Sequence, residues 1–267
     1  MNMSKSIFIA VKDFKECYLK SYLAFMLGWQ DIKQRYRRSK LGPFWITISM
    51  GVMIAMIGII FGQVMNNPMH EYLPFLATGI IFWNFISSSI MEGSSSFIDA
   101  QGMIRQLNLP LMLYPTRVIW RNVVILAHNL LILPIAMFVV GKGMTWNIFW
   151  LIPGFVVLIL NVFWISLLLG VICTRFRDMP QIVNSLLQVL FYLTPVIWMP
   201  GALTGKTKMM ILEPNPIYHL IELVRAPVLG HMPTLTNWGV GLSIAILGIV
   251  MSFVFFGKYR SRIAYWL

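Results

Sequence analysis

Charge is scarce in this 267-residue chain: 11% of residues are Asp, Glu, Lys or Arg. A soluble domain carries about 25%, so a water-soluble globule is excluded. Acids are scarcer still, nine against 21 Lys and Arg. There are two cysteines, Cys17 and Cys173, with neither metal-ligand spacing nor the density of a disulfide scaffold. Only four histidines occur, and His70, His219 and His231 are read as external and isolated. No Gly-x-Ser-x-Gly or His-x-x-x-His pattern is present. The nine acids are scattered over loops and the N-terminal region, so the constellations of an enzyme are missing and no catalytic residue is expected. Gly205-Lys206-Thr207 resembles the end of a phosphate-binding loop, but that motif needs glycine where Pro200 stands. The first 40 residues are charged throughout and hold no apolar core of a secretory leader, so none is expected.

What fills the space is apolar: 58% of residues are hydrophobic and mean hydropathy is +0.75. Disorder is thereby excluded. Six intervals of 20 residues or more lack any charge: 41–70, 72–91, 122–141, 143–174, 179–205 and 226–257. About 20 apolar residues cross a hydrocarbon core of roughly 30 Å. The pattern therefore predicts an all-α membrane protein with six spans near 43–65, 72–91, 117–140, 148–172, 181–199 and 237–257. An even number puts both termini on one side. With that side cytoplasmic, 17 basic residues lie inside and four outside (Lys142, Lys206, Lys208, Arg225), which satisfies the positive-inside rule. The basic excess is then explained without nucleic acid.

Before the first span, Ile7, Val11, Phe14, Tyr18 and Tyr22 recur every three or four residues with charges between them. This is the pattern of an amphipathic helix in the cytoplasmic interface, or of a solvated helix on a partner. His128 and Asn129 stand mid-span, where neutral polar groups either bond to a neighbouring helix or serve function. Gly58-x-x-x-Gly62 permits close helix approach, within the chain or between copies. No Asp, Glu, Lys or Arg stands in the middle of a span, which argues against a proton- or sodium-coupled carrier. The external stretch 200–236 is broken by five prolines yet holds apolar pieces, so short helices dipping into the outer leaflet are expected.

The run Arg35-Tyr36-Arg37-Arg38-Ser39-Lys40-Leu41-Gly42-Pro43-Phe44-Trp45 resembles the lead-in of ABC-2 type polysaccharide export permeases, and most of all the O-antigen (lipopolysaccharide) permease. Arg175-Phe176-Arg177-Asp178, Leu193-Thr194-Pro195-Val196-Ile197-Trp198 and Asn215-Pro216-Ile217 with Arg225 continue the likeness in order along the chain. The resemblance implies a type V exporter-like fold: one ABC-2 transmembrane domain over 1–267. It divides into an interfacial helix in 1–40, six spans over 43–257 and a cytoplasmic tail at 258–267. A short coupling helix between spans two and three (about 94–110) and re-entrant external helices before span six are also implied.

It further implies a transport subunit rather than an enzyme, a homodimer in the bacterial inner (cytoplasmic) membrane with both termini cytoplasmic. Two copies of a separate ABC ATPase subunit would bind ATP and Mg, this chain itself holding no cofactor, and the cargo would be an undecaprenyl-linked polysaccharide. Asp99 and Arg105 would bound the ATPase contact. Phe44, Trp45, Phe191, Tyr192 and Trp198 would line the channel by position. Arg35, Arg37, Arg38 and Lys40, at headgroup level, would either contact the lipid-linked phosphate or anchor the helix among membrane lipids. Export of capsule, teichoic acid, another lipid or a drug, and a membrane-embedded glycan-modifying enzyme, are the alternatives.

Overall fold

The computed structural model describes residues 3–37, 42, 44–65, 67–143, 145–202 and 205–267. Within them the chain is helical and contains no strand. The helices are α1 (Met3–Leu19), α2 (Ser21–Tyr36), α3 (Phe44–Val64), α4 (Met69–Asp99), α5 (Gln101–Gln106), α6 (Leu113–Asn129) and α7 (Ile132–Val139). There follow α8 (Leu151–Arg175), α9 (Met179–Leu193), α10 (Gly205–Leu212), α11 (Pro216–Leu229) and α12 (Leu235–Trp266). A 3-10 turn, Trp146–Trp150, leads into α8.

Five segments are long and apolar enough to cross a membrane: α3, α4, Leu113–Val139 (α6 with α7), Trp146–Arg175 and α12. The chain is thus a multi-pass membrane protein. The break between α6 and α7 has a local cause. Pro134 lacks an N–H and its ring crowds the carbonyl of Leu130, where the helix parts. The span expected at 181–199 is shorter than predicted. Helix α9 has 15 residues, about 22 Å of rise, and ends at Leu193. Thr194 precedes Pro195 and is extended, with ψ 135°, because proline crowds the helical conformation of its predecessor.

Helix α4 is the centre of the molecule: 83% of its apolar window is buried, against 17% for α3. It packs on α8 through small residues. A Cβ on Gly93 would overlap the Ser166 side chain, and Ser166 Oγ donates to the Ser89 carbonyl at 3.1 Å. Such small polar contacts are how helices pair where lipid offers no hydrophobic contrast. Gly58 and Gly62 serve the same end within the chain, facing Leu73, Met69 and Tyr72 of α4.

Helix α11 is also buried, among α4, α8 and α12. Asn215 caps it, accepting from the Ile217 and Tyr218 amides, while its Nδ2 donates to Thr194 Oγ1 at 3.0 Å. That bond ties the start of α11 to the end of α9. Gly230 closes α11 with φ 95° in the left-handed region.

The N-terminal segment is two helices, broken at Lys20. The apolar stripe expected to define it is largely outward: Val11, Phe14, Tyr18 and Tyr22 are exposed on the chain. The face that packs on α12 is Ser6, Ala10, Asp13 and Cys17. Gly257 makes this approach possible, since a Cβ there would overlap the Ser6 carbonyl. Gly257→Ala is expected to force α1 away from α12 and to lower stability in detergent by about 2 kcal/mol, read as the chain's unfolding midpoint. An unchanged midpoint would show that the contact is slack. Helix α12 runs unbroken to Trp266, so residues 258–266 continue it as helix, with Ile263 buried.

Candidate functional site: an aromatic groove with a charged mouth

Helices α4 and α9 frame a groove of about 520 Å³ lined by Trp83, Ser87, Ser88, Met91 and Glu92 on one side and Asn184, Leu187, Gln188, Phe191 and Tyr192 on the other. Each set repeats at helical spacing of three, four or five, so each helix turns one face to the groove. The rings meet across it. Trp83 and Phe191 lie 5.4 Å apart between centroids, and Phe191 and Tyr192 lie 5.4 Å apart edge to face. Trp198 Nε1 donates to the Tyr192 carbonyl at 3.1 Å, which holds the turn after α9 against that helix. Aromatic faces interleaved with hydroxyl and amide groups suit a sugar, whose C–H faces stack on rings while its hydroxyls need sparse partners.

Of the five residues expected to line a channel, Phe191 and Tyr192 line this groove, and Trp198 is tied to it by its bond to the Tyr192 carbonyl. Phe44 and Trp45 are elsewhere, exposed on the first turn of α3, with Phe44 5.9 Å from the His128 ring. His128 is otherwise satisfied locally, its Nδ1 2.8 Å from the Val124 carbonyl. Asn129 is buried with its Oδ1 unpartnered.

The Glu92 end of the groove is a network of charges. Glu92 accepts from Arg121 Nη2 at 2.8 Å, from Asn122 Nδ2 at 2.8 Å and from Arg35 Nη2 at 3.3 Å. Arg121 also reaches Asp31 at 3.1 Å, and Arg117 grips Asp31 with Nε at 2.7 Å and with Nη2. Paired bonds of this kind fix orientation as well as charge. Helices α2, α4 and α6 are thereby stitched together. Of the basic run, Arg35 is half-exposed and bound to Glu92, and Arg37 is exposed at the end of α2. Arg38 and Lys40 lie outside the described residues.

A second anchor sits beneath. Asp13 is buried, yet it accepts from the Leu111 and Met112 amides at 3.3 and 3.0 Å and from Arg260 Nε at 2.5 Å. One carboxylate on α1 thus holds both the segment that follows α5 and the end of α12. Helix α5 itself buries no residue. Arg105 is exposed on it, and Asp99, exposed at the end of α4, accepts from Ser95 Oγ at 2.7 Å. The helix expected over 94–110 is divided here, since 94–99 belongs to α4 and only Gln101–Gln106 forms the separate turn. Gln101 Nε2 bonds the Leu267 carbonyl at 2.5 Å, fixing α5 to the chain's end.

Sequence reasoning left Asp13, Asp31, Glu92, Arg117 and Arg121 without a role. A signal was present in part: Asp31 with Arg35, and Arg117 with Arg121, stand four apart and so share a helix face. His219 is a structural residue: its Nε2 lies 2.9 Å from the Glu213 backbone carbonyl, and its Nδ1 lies 2.8 Å from Asn237 Oδ1. Both ring nitrogens are engaged, Nδ1 in holding α11 to α12 and Nε2 in holding the turn before α11.

A bundle of apolar helices with a sugar-compatible groove and an exposed helical turn is the form of a membrane permease. Over residues 22–229 the chain matches the ABC-2 type transporter family, and it belongs to that family. It is 27% identical over 220 residues to the O-antigen export system permease protein RfbA of Myxococcus xanthus, covering 81% of this chain and 84% of that one. It is 24% identical to the protein of the same name from Klebsiella pneumoniae, over 88% of this chain and 91% of that one. To the polysialic acid transport protein KpsM of Escherichia coli it is 26% identical, over 87% and 90%.

Proposed function

We propose that this chain is the membrane-spanning subunit of an ATP-driven exporter that carries an undecaprenyl-linked polysaccharide, of the O-antigen type, from cytoplasm to periplasm. Two copies form the conduit in the bacterial inner membrane, and each docks one ABC ATPase subunit that binds ATP and Mg. The groove between α4 and α9 carries this reading, because Trp83, Phe191 and Tyr192 alternate there with Ser87, Ser88, Asn184 and Gln188. The names of the relatives, O-antigen and polysialic acid carriers, point to the same class of cargo.

The passage count rests on α9 and the buried α11 together making the sixth crossing, with α10 and α11 re-entering from outside. Both termini then face the cytoplasm, as the 17 inner basic residues favour. The exposed turn α5, with Asp99 and Arg105 at its borders, fits a cleft on the ATPase. Its ties to Asp13 and Leu267 would pass a push there into α1 and α12. The outward face of α3, with Phe44 and Trp45, is left for the second copy. At the groove's mouth Arg35 is the guanidinium freest to leave Glu92 for a lipid pyrophosphate.

Deleting the chain from its host is expected to remove the surface glycan and to leave its undecaprenyl-linked form inside, measured by extracting lipid-linked glycan from spheroplasts. Restoring the chain returns the glycan to the surface. Unchanged surface glycan would refute this function.

A further inference from the structure

On the side of the bundle away from the α4–α9 groove, helices α8 and α12 enclose a second cavity of about 430 Å³. It is lined by Val171, Ile172, Arg175 and Phe176 from α8 and by Phe255, Tyr259, Arg262 and Trp266 from α12. The α12 residues fall at i, i+4, i+7 and i+11, a single stripe. Its chemistry is graded. The apolar floor is Val171, Ile172 and Phe255. Arg175 and Arg262 stand among three further rings. Arg175 lies 5.4 Å from the Phe176 ring centre and 5.2 Å from that of Trp266, while Tyr259 lies 4.8 Å from Phe255 and 5.6 Å from Trp266.

Two facts place this cavity at a membrane surface. Arg175 is the first charge after the interval 143–174, and Lys258 the first after 226–257. Both intervals end at this site, so apolar helix gives way to charge on both walls at once. Trp and Tyr concentrate at that boundary. Among the described residues, moreover, neither Arg175 nor Arg262 makes an ion pair, whereas Arg117 and Arg121 of α6 and Arg260 of α12 each hold a carboxylate. Asp178, the nearest acid in sequence, is exposed and bridges neither. The walls therefore offer two guanidiniums with their donors free, five N–H groups each and planar.

We infer that this cavity is a binding site for the phosphodiester headgroup of an anionic phospholipid of the inner leaflet, such as phosphatidylglycerol or cardiolipin. The phosphate sits between Arg175 and Arg262, which take its oxygens side-on. The acyl chains descend along Val171, Ile172 and Phe255. Basic pockets between helices on the cytoplasmic side recognise such headgroups. Arg175-Phe176, part of the Arg175-Phe176-Arg177-Asp178 run that the α4–α9 groove leaves unused, thereby acquires a role. The site lies apart from that groove and does not depend on what is exported.

The test is native mass spectrometry of the full chain released from detergent, after incubation with phosphatidylglycerol or phosphatidylcholine of equal chain length. The wild-type chain is expected to retain phosphatidylglycerol in preference to phosphatidylcholine, and Arg175→Gln with Arg262→Gln to weaken that retention by about tenfold or more. Lys12→Gln, a basic residue away from this cavity, should leave retention unchanged, which separates a site from general surface charge. Arg262→Gln alone, an exposed change, keeps the test valid if the double variant fails to fold, and should weaken retention several-fold. Inorganic phosphate at the same concentration should not displace the lipid. Equal retention of both lipids, or undiminished retention by the variants, would each overturn the inference.

Discussion

Asp13→Ala is expected to lower the stability of the chain by about 3–5 kcal/mol, the cost of removing one partner of a buried ion pair. The carboxylate is buried and serves three donors: the Leu111 amide, the Met112 amide and Arg260 Nε. Its removal leaves two backbone donors and a guanidinium without acceptors, and each such group costs desolvation that folding does not return. The consequence is directional. Helix α1 loses its link to the segment after α5, and α12 loses its link to α1. In reconstituted complexes ATP hydrolysis should continue while glycan movement falls. Thermal unfolding in detergent reads the first effect, and the ratio of glycan moved to ATP consumed reads the second. Asp13→Asn, which keeps one acceptor, should fall between. A variant as stable and as coupled as the wild type would remove Asp13 from the account.

Asp31→Ala should have the next largest effect, about 2–4 kcal/mol. The carboxylate is shared by Arg117 and Arg121, whose side chains are only 21% and 15% exposed. Without it Arg117 has no carboxylate, and Arg121 retains only Glu92. Two cations then stand close together at the groove mouth. Helix α2, whose end is tied to α6 by this cluster, is expected to become accessible to proteases near that end. Charge exchange, Asp31→Arg with Arg117→Asp, should restore part of the loss. Limited proteolysis of both variants measures it. Equal protection in the wild type and Asp31→Ala would show that packing alone, such as Phe25 against Trp120 at 4.6 Å, holds α2.

Much of the helix order was legible because lipid imposes a simple rule. A backbone crossing hydrocarbon must satisfy its own polar groups, so long charge-free intervals become helices. The intervals at 41–70, 143–174 and 226–257 became α3, α8 and α12 on this ground. The fifth interval misled because hydropathy does not register Pro195, which stops α9 short. The N-terminal stripe marked one face only. Apolar periodicity located the outward face of α1, whereas its buried face is Ser6, Ala10, Asp13 and Cys17, residues that no hydropathy count selects.

The groove was half visible. Phe191, Tyr192 and Trp198 stand close together in the sequence, but Trp83 reaches them only through tertiary packing. The charged anchors were hidden by distance: Asp31 and Arg117 are 86 residues apart, Asp13 and Arg260 are 247. Pairing over such separations leaves no local pattern to read.

The central claim is that glycan passes along the groove between α4 and α9. A single-cysteine substitution, Gln188→Cys, followed by a bulky maleimide tests it most directly. Gln188 is exposed within the groove. The native thiols do not compete, since Cys17 and Cys173 are both buried and burial also pushes the Cys17 thiol up, away from the reactive thiolate. Ile246→Cys on the outward face of α12, 63% exposed, serves as the control. The account predicts that the unlabelled Gln188→Cys chain exports glycan, that labelling stops export, and that labelling at Ile246→Cys does not. Export that continues with the groove fully labelled would contradict it.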